Sequence, residues 1–155
     1  MINEITAPKT VGSPDGSHAA KFLYAGEIRF GPPYYTVDLD GLLLTKWLFR
    51  KRYFGAACSW SSDSSYFALS EWLSRSESRG PETRVIVIDI PNRHECTVDR
   101  VRGGFTEPAR FEGNTLVYTE TFYSREPKAH VDTCRVDLTT LREWHRVPLL
   151  GRRRT

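Results

Sequence analysis

Apolar and polar positions along this chain alternate with the period of strands rather than helices. Tyr34-Tyr35-Thr36-Val37-Asp38-Leu39 and Thr133-Cys134-Arg135-Val136-Asp137-Leu138 both alternate in this way. Val85-Ile86-Val87-Ile88-Asp89-Ile90 is a β-branched run closed by the turn signal Pro91-Asn92. Residues 115–123 are rich in β-branched and aromatic residues, and Gly113-Asn114 precedes them. Two stretches admit a helix, 42–52 and 141–146. The first reads equally well as a strand, because Leu42-Leu43-Leu44 and Trp47-Leu48-Phe49 fix no period. The pattern predicts an all-β protein with at most one short helix.

The chain also resembles itself at a spacing of about 50 residues. Ser13-Pro14-Asp15-Gly16-Ser17-His18-Ala19-Ala20 recurs as Ser61-Ser62-Asp63-Ser64-Ser65-Tyr66-Phe67-Ala68, and more faintly as Phe111-Glu112-Gly113-Asn114-Thr115-Leu116-Val117-Tyr118. Each copy is a turn running into a strand. A second strand then carries an acid between apolar neighbours, Asp38, Asp89 and Asp137, at spacings of 51 and 48. The expected units are residues 11–58, 59–108 and 109–150, within one domain spanning 1–155.

These phrases resemble the start of a blade in β-propellers of the WD40 or TolB type. There, "W-S-P-D-G-x-x-[IL]-A" marks the turn into the inner strands, and Trp60-Ser61-Ser62-Asp63-Ser64-Ser65-Tyr66-Phe67-Ala68-Leu69 is similar to it. The strand Val87-Ile88-Asp89-Ile90 is similar to the outer strand that follows. The WD dipeptide and the Gly-His signature are absent. The resemblance implies three antiparallel, blade-like repeats. Ordinary propellers close with four to eight blades, so three imply an open or partial propeller. Its uncovered edges would call for a partner, another copy included.

Composition changes this picture little. The chain has 155 residues, 39% hydrophobic and 26% charged, enough for a core without staples. Net charge is +3, but residues 142–155 carry five arginines against one glutamate, so the rest sums to −1. The basic character is thus a C-terminal tail, Arg152–Arg154 above all, rather than a basic face, so nucleic acid is not expected as the main partner, and the near-neutral body argues against an acidic mimic of nucleic acid. Lys46, Arg50, Lys51 and Arg52 around Trp47 and Tyr53 form a second small basic and aromatic cluster. Cys58, Cys96 and Cys134 have no CxxC pairing and are expected as reduced, mostly buried thiols. No apolar run is long enough for a spanning helix and no secretory signal is visible, so a cytoplasmic location is expected.

Motifs of catalysis and cofactor binding are missing: HExxH, GxSxG, Walker A and GxGxxG do not occur. His94-Glu95-Cys96 has no identifiable orienting group, and Gly103-Gly104 reads as a turn. Neither metal ligands nor a cofactor is expected. Attention moves instead to the three long connections between the paired strands of each copy. They supply Arg29, Tyr34 and Tyr35; Arg75, Glu77 and Arg79; and Tyr123, Arg125, Glu126 and Lys128. Stacked repeats would project these loops to one side as a protein-binding rim, since arginine and aromatics dominate interface energetics. Trp60 is expected in the core and Trp72 partly exposed near the second loop. By type, a small chain of this kind is similar to bacterial immunity proteins, non-enzymatic inhibitors that occlude a toxin. A scaffold that completes a ring by self-association and a nucleic-acid binder using the basic tail are the alternatives.

Overall fold

The computed structural model describes residues 8–28, 31–41, 46–47, 51–74, 80–122, 130–147 and 149–150. The strands follow the alternation: β1 (Lys9–Gly12), β2 (His18–Glu27), β3 (Pro33–Gly41), β4 (Lys46–Trp47), β5 (Tyr53–Trp60), β6 (Tyr66–Ser74) and β7 (Glu82–Asp89). Then come β8 (His94–Arg102), β9 (Gly104–Glu112), β10 (Thr115–Phe122), β11 (His130–Asp137), β12 (His145–Arg146) and β13 (Leu149–Leu150). Among the described residues there is no α-helix, only a 3-10 turn at Leu138–Thr140. This corrects the helical reading of the two ambiguous stretches. In the first, residues 46–47 form a short strand beside β3, and in the second, residues 145–146 form β12. Pairing neighbours satisfy those backbones, and no periodic apolar stripe was present to favour a helix.

The strands make two antiparallel sheets. The large one runs β1-β2-β3-β5-β6-β7-β8-β12, with β4 on β3 and β13 on β4; the small one runs β11-β10-β9. Between β3 and β5 a single position pairs, Tyr35 with Phe54. Elsewhere the long strands pair nearly end to end. The large sheet folds over at this seam. Ala20, Phe22, Val37 and Leu39 from β2 and β3 share one core with Phe67, Leu69, Ile86 and Ile88 from β6 and β7. The opposite face of β6 and β7, Ala68, Val85 and Val87, forms a second core with Leu116, Tyr118 and Leu138. The pair β6–β7 is therefore a middle layer covered on both sides. That is why the centre of β7, residues 85–88, is an unbroken apolar run, whereas a one-sided strand alternates.

The three recurring phrases occupy matching positions in their strand pairs. His18 pairs with Gly41, Tyr66 with Asp89 and Thr115 with Asp137, each at the open end of its hairpin, next to the turn that leads into the first strand. Asp38 is displaced from this equivalence. It lies inside β3 opposite Lys21, and Gly41 holds the position of Asp89 and Asp137. The two serine-rich turns are built alike. Ser13 and Ser61 donate their hydroxyls to Asp15 and Asp63 at 2.8 and 2.7 Å. The backbone amides of Ser17 and Ser65 donate to the same carboxylates at 2.9 and 3.0 Å. The amides of His18 and Tyr66 return to the Ser13 and Ser61 hydroxyls at 3.0 and 2.9 Å. The fourth turn residue needs left-handed backbone in both: Gly16 has φ 72° and Ser64 has φ 63°. Glycine adopts this freely and serine at a cost. The Asp15 amide also donates to Ser64 Oγ at 3.0 Å, tying the two turns together.

A charged network sits where the apolar face of β6 ends. Glu71 is buried, 3% exposed. Arg52 clamps it with Nε to Oε2 at 2.6 Å and Nη2 to Oε1 at 2.9 Å. Arg84 Nε reaches Oε1 at 2.7 Å, and Arg52 Nη1 continues to Glu95 at 2.8 Å. Burial by itself would lower the Arg52 pKa, but the hydrogen bonds and charges of Glu71 and Glu95 raise it. Arg52 thus turns inward, leaving the basic cluster expected around Trp47.

Candidate protein-binding end

The long connections leave the strands at the end opposite the serine-rich turns. Tyr34 opens β3, just after the first connection. Trp72 lies near the end of β6, just before the second. Phe105 lies near the start of β9 and pairs with Thr121, one residue before β10 ends at the third. These side chains form a continuous aromatic row. The Tyr34 ring is 5.5 Å from Trp72, and Trp72 is 5.3 Å from Phe105. Tyr53 of β5 meets Tyr34 edge-on at 5.4 Å. All three hairpin ends converge on this row.

Strand glycines make the row possible. A Cβ at Gly26 would lie 2.5 Å from the Tyr34 hydroxyl, and one at Gly55 would lie 3.2 Å from Trp72 Nε1. The rings rest where side chains would otherwise stand. Trp72 is buried, 5% exposed, instead of partly exposed as its loop-side position suggested. Tyr35 is a second correction: alternation points it inward, edge-on to Phe22 and Tyr24 at 6.2 and 6.4 Å. It belongs to the core rather than to a rim. Trp60 stacks on Phe67 at 4.3 Å and packs against the first core, though it is only partly buried.

Beside the row, a cleft of about 460 Å³ is lined by Ser74, Gly80, Pro81, Glu82 and Arg102. The amide of Gly103 donates to Pro81 O at 2.7 Å, fixing the β8–β9 turn against the second connection. Glu82 accepts from Arg100 Nε at 2.7 Å and more weakly from Arg102 Nε at 3.4 Å. Hydrogen bonding from Arg100 holds the Glu82 carboxyl below its ordinary range. The Arg102 side chain is 85% exposed. Leu73, on the neighbouring strand, is one of the few large apolar side chains left open to solvent.

Of the rim residues expected from the sequence, Tyr34 sits in this end, half buried, and Tyr35 does not. Arg29, Arg75, Glu77, Arg79, Tyr123, Arg125, Glu126 and Lys128 lie outside the described residues, as does the tail 151–155. The sequence reading did not single out Arg102 or Leu73, and it assigned Tyr53 to the basic cluster around Trp47 rather than to this end. Arg102 had a signal: it precedes Gly103-Gly104, a turn that must return the chain between two strands. His94 and Cys96 do not form a reactive pair. Cys96 is buried in β8 opposite Val87, and burial raises its thiol pKa.

Among the described residues, no group of three or more His, Cys, Asp or Glu side chains is arranged to hold a metal ion, and no helix is long and apolar enough to cross a membrane. No family model matches the chain, and no curated protein or solved structure matches it.

Proposed function

We propose that this chain is a non-enzymatic protein-binding domain that engages its partner with the loop-bearing end of a stack of three blade-like repeats. The observation that carries this is the convergence of three hairpin ends on the Tyr34–Trp72–Phe105 row. The row makes a rigid floor. Half-buried Tyr34 and Tyr53 border it, and Arg102 is exposed at the same end of the sheet; tyrosine and arginine are residue types that anchor interfaces. In sequence, the three connections carry arginine, glutamate and lysine, charges of both signs that suit a protein surface of mixed charge. The specific form we propose is a cytoplasmic immunity or inhibitor protein. It would act sterically, by seating this end over the active site of a cognate toxin.

Site-specific photo-crosslinking tests the surface. A photoreactive phenylalanine at position 34 should capture a defined protein in the cell of origin, and one at Asn114, at the turn end, should not. Arg102→Glu, and charge reversal at Arg75, Arg79 and Arg125, should weaken the purified complex at least tenfold without unfolding the chain. Capture from Asn114 alone, or full binding by the folded reversal variants, would sink the assignment. The inhibitor form requires more: the captured protein must be toxic, and one equivalent of this chain must abolish its toxicity.

A further inference from the structure

The small sheet joins the middle layer through an apolar core and through Thr83 Oγ1, which donates to Gly104 O at 3.0 Å and accepts from the Thr106 amide at 2.9 Å. Alongside lies a contact of a different kind. Asp99 of β8 pairs in register with Val85, whose side chain is in that core, so Asp99 faces the small sheet. Tyr118 of β10 donates its hydroxyl to Asp99 Oδ2 at 3.0 Å, and the Arg100 amide donates to Oδ1 at 2.8 Å. Glu120 follows Tyr118 on the same face of β10, which brings its carboxyl to the side where Tyr118 meets Asp99, and hydrogen bonding with Asp99 is the largest cause of its raised pKa. Two ionised carboxylates are acceptors only. This bond exists when one of them carries a proton.

Among the described residues, the facing strands supply no cation directed at this pair. Opposite Glu120 stand Asp132 on β11 and Thr106 on β9; opposite Tyr118 stands Cys134. β7 contributes Val85 and Thr83. His130 is the one positive charge these faces can present among the described residues, and it is turned to Asp132 at 3.0 Å. We propose that Asp99 and Glu120 form a proton-dependent latch between the large and small sheets, closed while they share a proton and loosened when both ionise. The hydrogen bond to Asp99, then burial, then the charges of Asp99 and Asp132 push the Glu120 pKa up to about 7. An unfolded or detached Glu120 titrates near ~4.3. A carboxyl with its folded pKa raised binds its proton more tightly when folded. The latch therefore contributes fully below pH ~4.3, weakens as pH rises, and is spent above about 7.

Hydrogen exchange of the β10 and β11 amides, corrected for intrinsic exchange, reads the latch directly. Protection should fall about tenfold or more between pH 5.5 and pH 8. That is less than the full shift implies, because Glu120 is partly exposed and solvent screens it. In Glu120→Gln, whose amide donates to Asp99 at every pH, the fall should vanish. Protection independent of pH in the unmodified chain overturns the proposal, as does a fall that persists in Glu120→Gln. Should that variant not fold, Asp99→Asn serves with the same criteria. A carboxyl-carbon NMR titration gives a second reading: a Glu120 midpoint near 7 supports the latch, and one below 5 refutes it.

Discussion

Removing the Glu71 carboxylate should be among the most damaging single changes in the chain. Its side chain is only 4% exposed and answers two guanidinium groups at once. Arg52 holds it by both carboxylate oxygens, and Arg84 approaches to 2.5 Å. Glu71→Ala leaves Arg52 with Glu95 and Arg84 with Thr97 Oγ1 at 3.0 Å, but no counter-charge between them. Breaking a buried ion pair from one side costs about 3–5 kcal/mol. The two arginine side chains are 19% and 26% exposed, so water recovers part of this, and about 3 kcal/mol is expected. With a urea m-value of about 2 kcal/mol/M, the midpoint should drop by about 1.5 M at unchanged m. Arg52→Ala should cost less, because Arg84 still neutralises Glu71. Equilibrium urea unfolding followed by tryptophan fluorescence and by circular dichroism measures both. A Glu71→Ala midpoint within about 0.5 M of the unmodified chain would refute the view that this network is a buried tie.

Two further outcomes follow from the layering and the turns. Ile88→Ala, in the doubly covered layer and fully buried, should cost about 2–5 kcal/mol. Val131→Ala, 56% exposed on the outermost strand, should stay within about 0.5 kcal/mol; comparable losses in the two would contradict the assigned core. Asp63 is held below the ordinary carboxylate range by hydrogen bonds from Ser65 and Ser61. A depressed folded pKa gives stability above the unfolded pKa near ~3.9 and loses it as pH falls. Asp63→Asn should therefore flatten the acid limb of a thermal-melting profile below pH ~4, and an unaltered limb would show that the turn does not need the charge.

The strands were legible because each is a short alternating or β-branched run between turn residues. The serine-aspartate turns were legible for a stronger reason: their hydrogen bonds close within five residues, so the segment carries its own instructions. What the sequence did not show depends on distance. Arg52 and Glu71 are 19 positions apart, and Asp99 and Glu120 are 21 apart on different sheets. Periodicity says which face a residue occupies, not which strand it will meet. The same limit misplaced Asp38, since a sliding match of acids ignores pairing register. It also left Tyr35 beside Tyr34 in the expected rim, although neighbours on a strand face opposite ways. For the loops themselves, composition suggested binding, and the structure adds the convergence of their bases.

The stack has two terminal layers, and how each is finished bears on whether copies of the chain join. The large sheet ends in short strands, β1 of four residues with Lys9 at its start, and β12 of two residues on β8. The outer edge of the small sheet is β11, eight residues long and largely exposed, with no second neighbour among the described residues. Length alone would make β11 a template for another strand. Its side chains oppose that use. His130, Asp132, Arg135 and Asp137 put a charged or polar ring group on every second or third position, and Arg135 is already engaged with Glu112. Strand addition would have to reorganise these groups, and the exposed Val131 is a single side chain rather than a patch. The chain should therefore run as a monomer in size-exclusion chromatography with light scattering at micromolar concentration. A stable ring or dimer that dissociates on placing proline at Thr133 would instead show that β11 is the assembly edge. The missing blades would then come from further copies, and the loop-bearing end would need a different role.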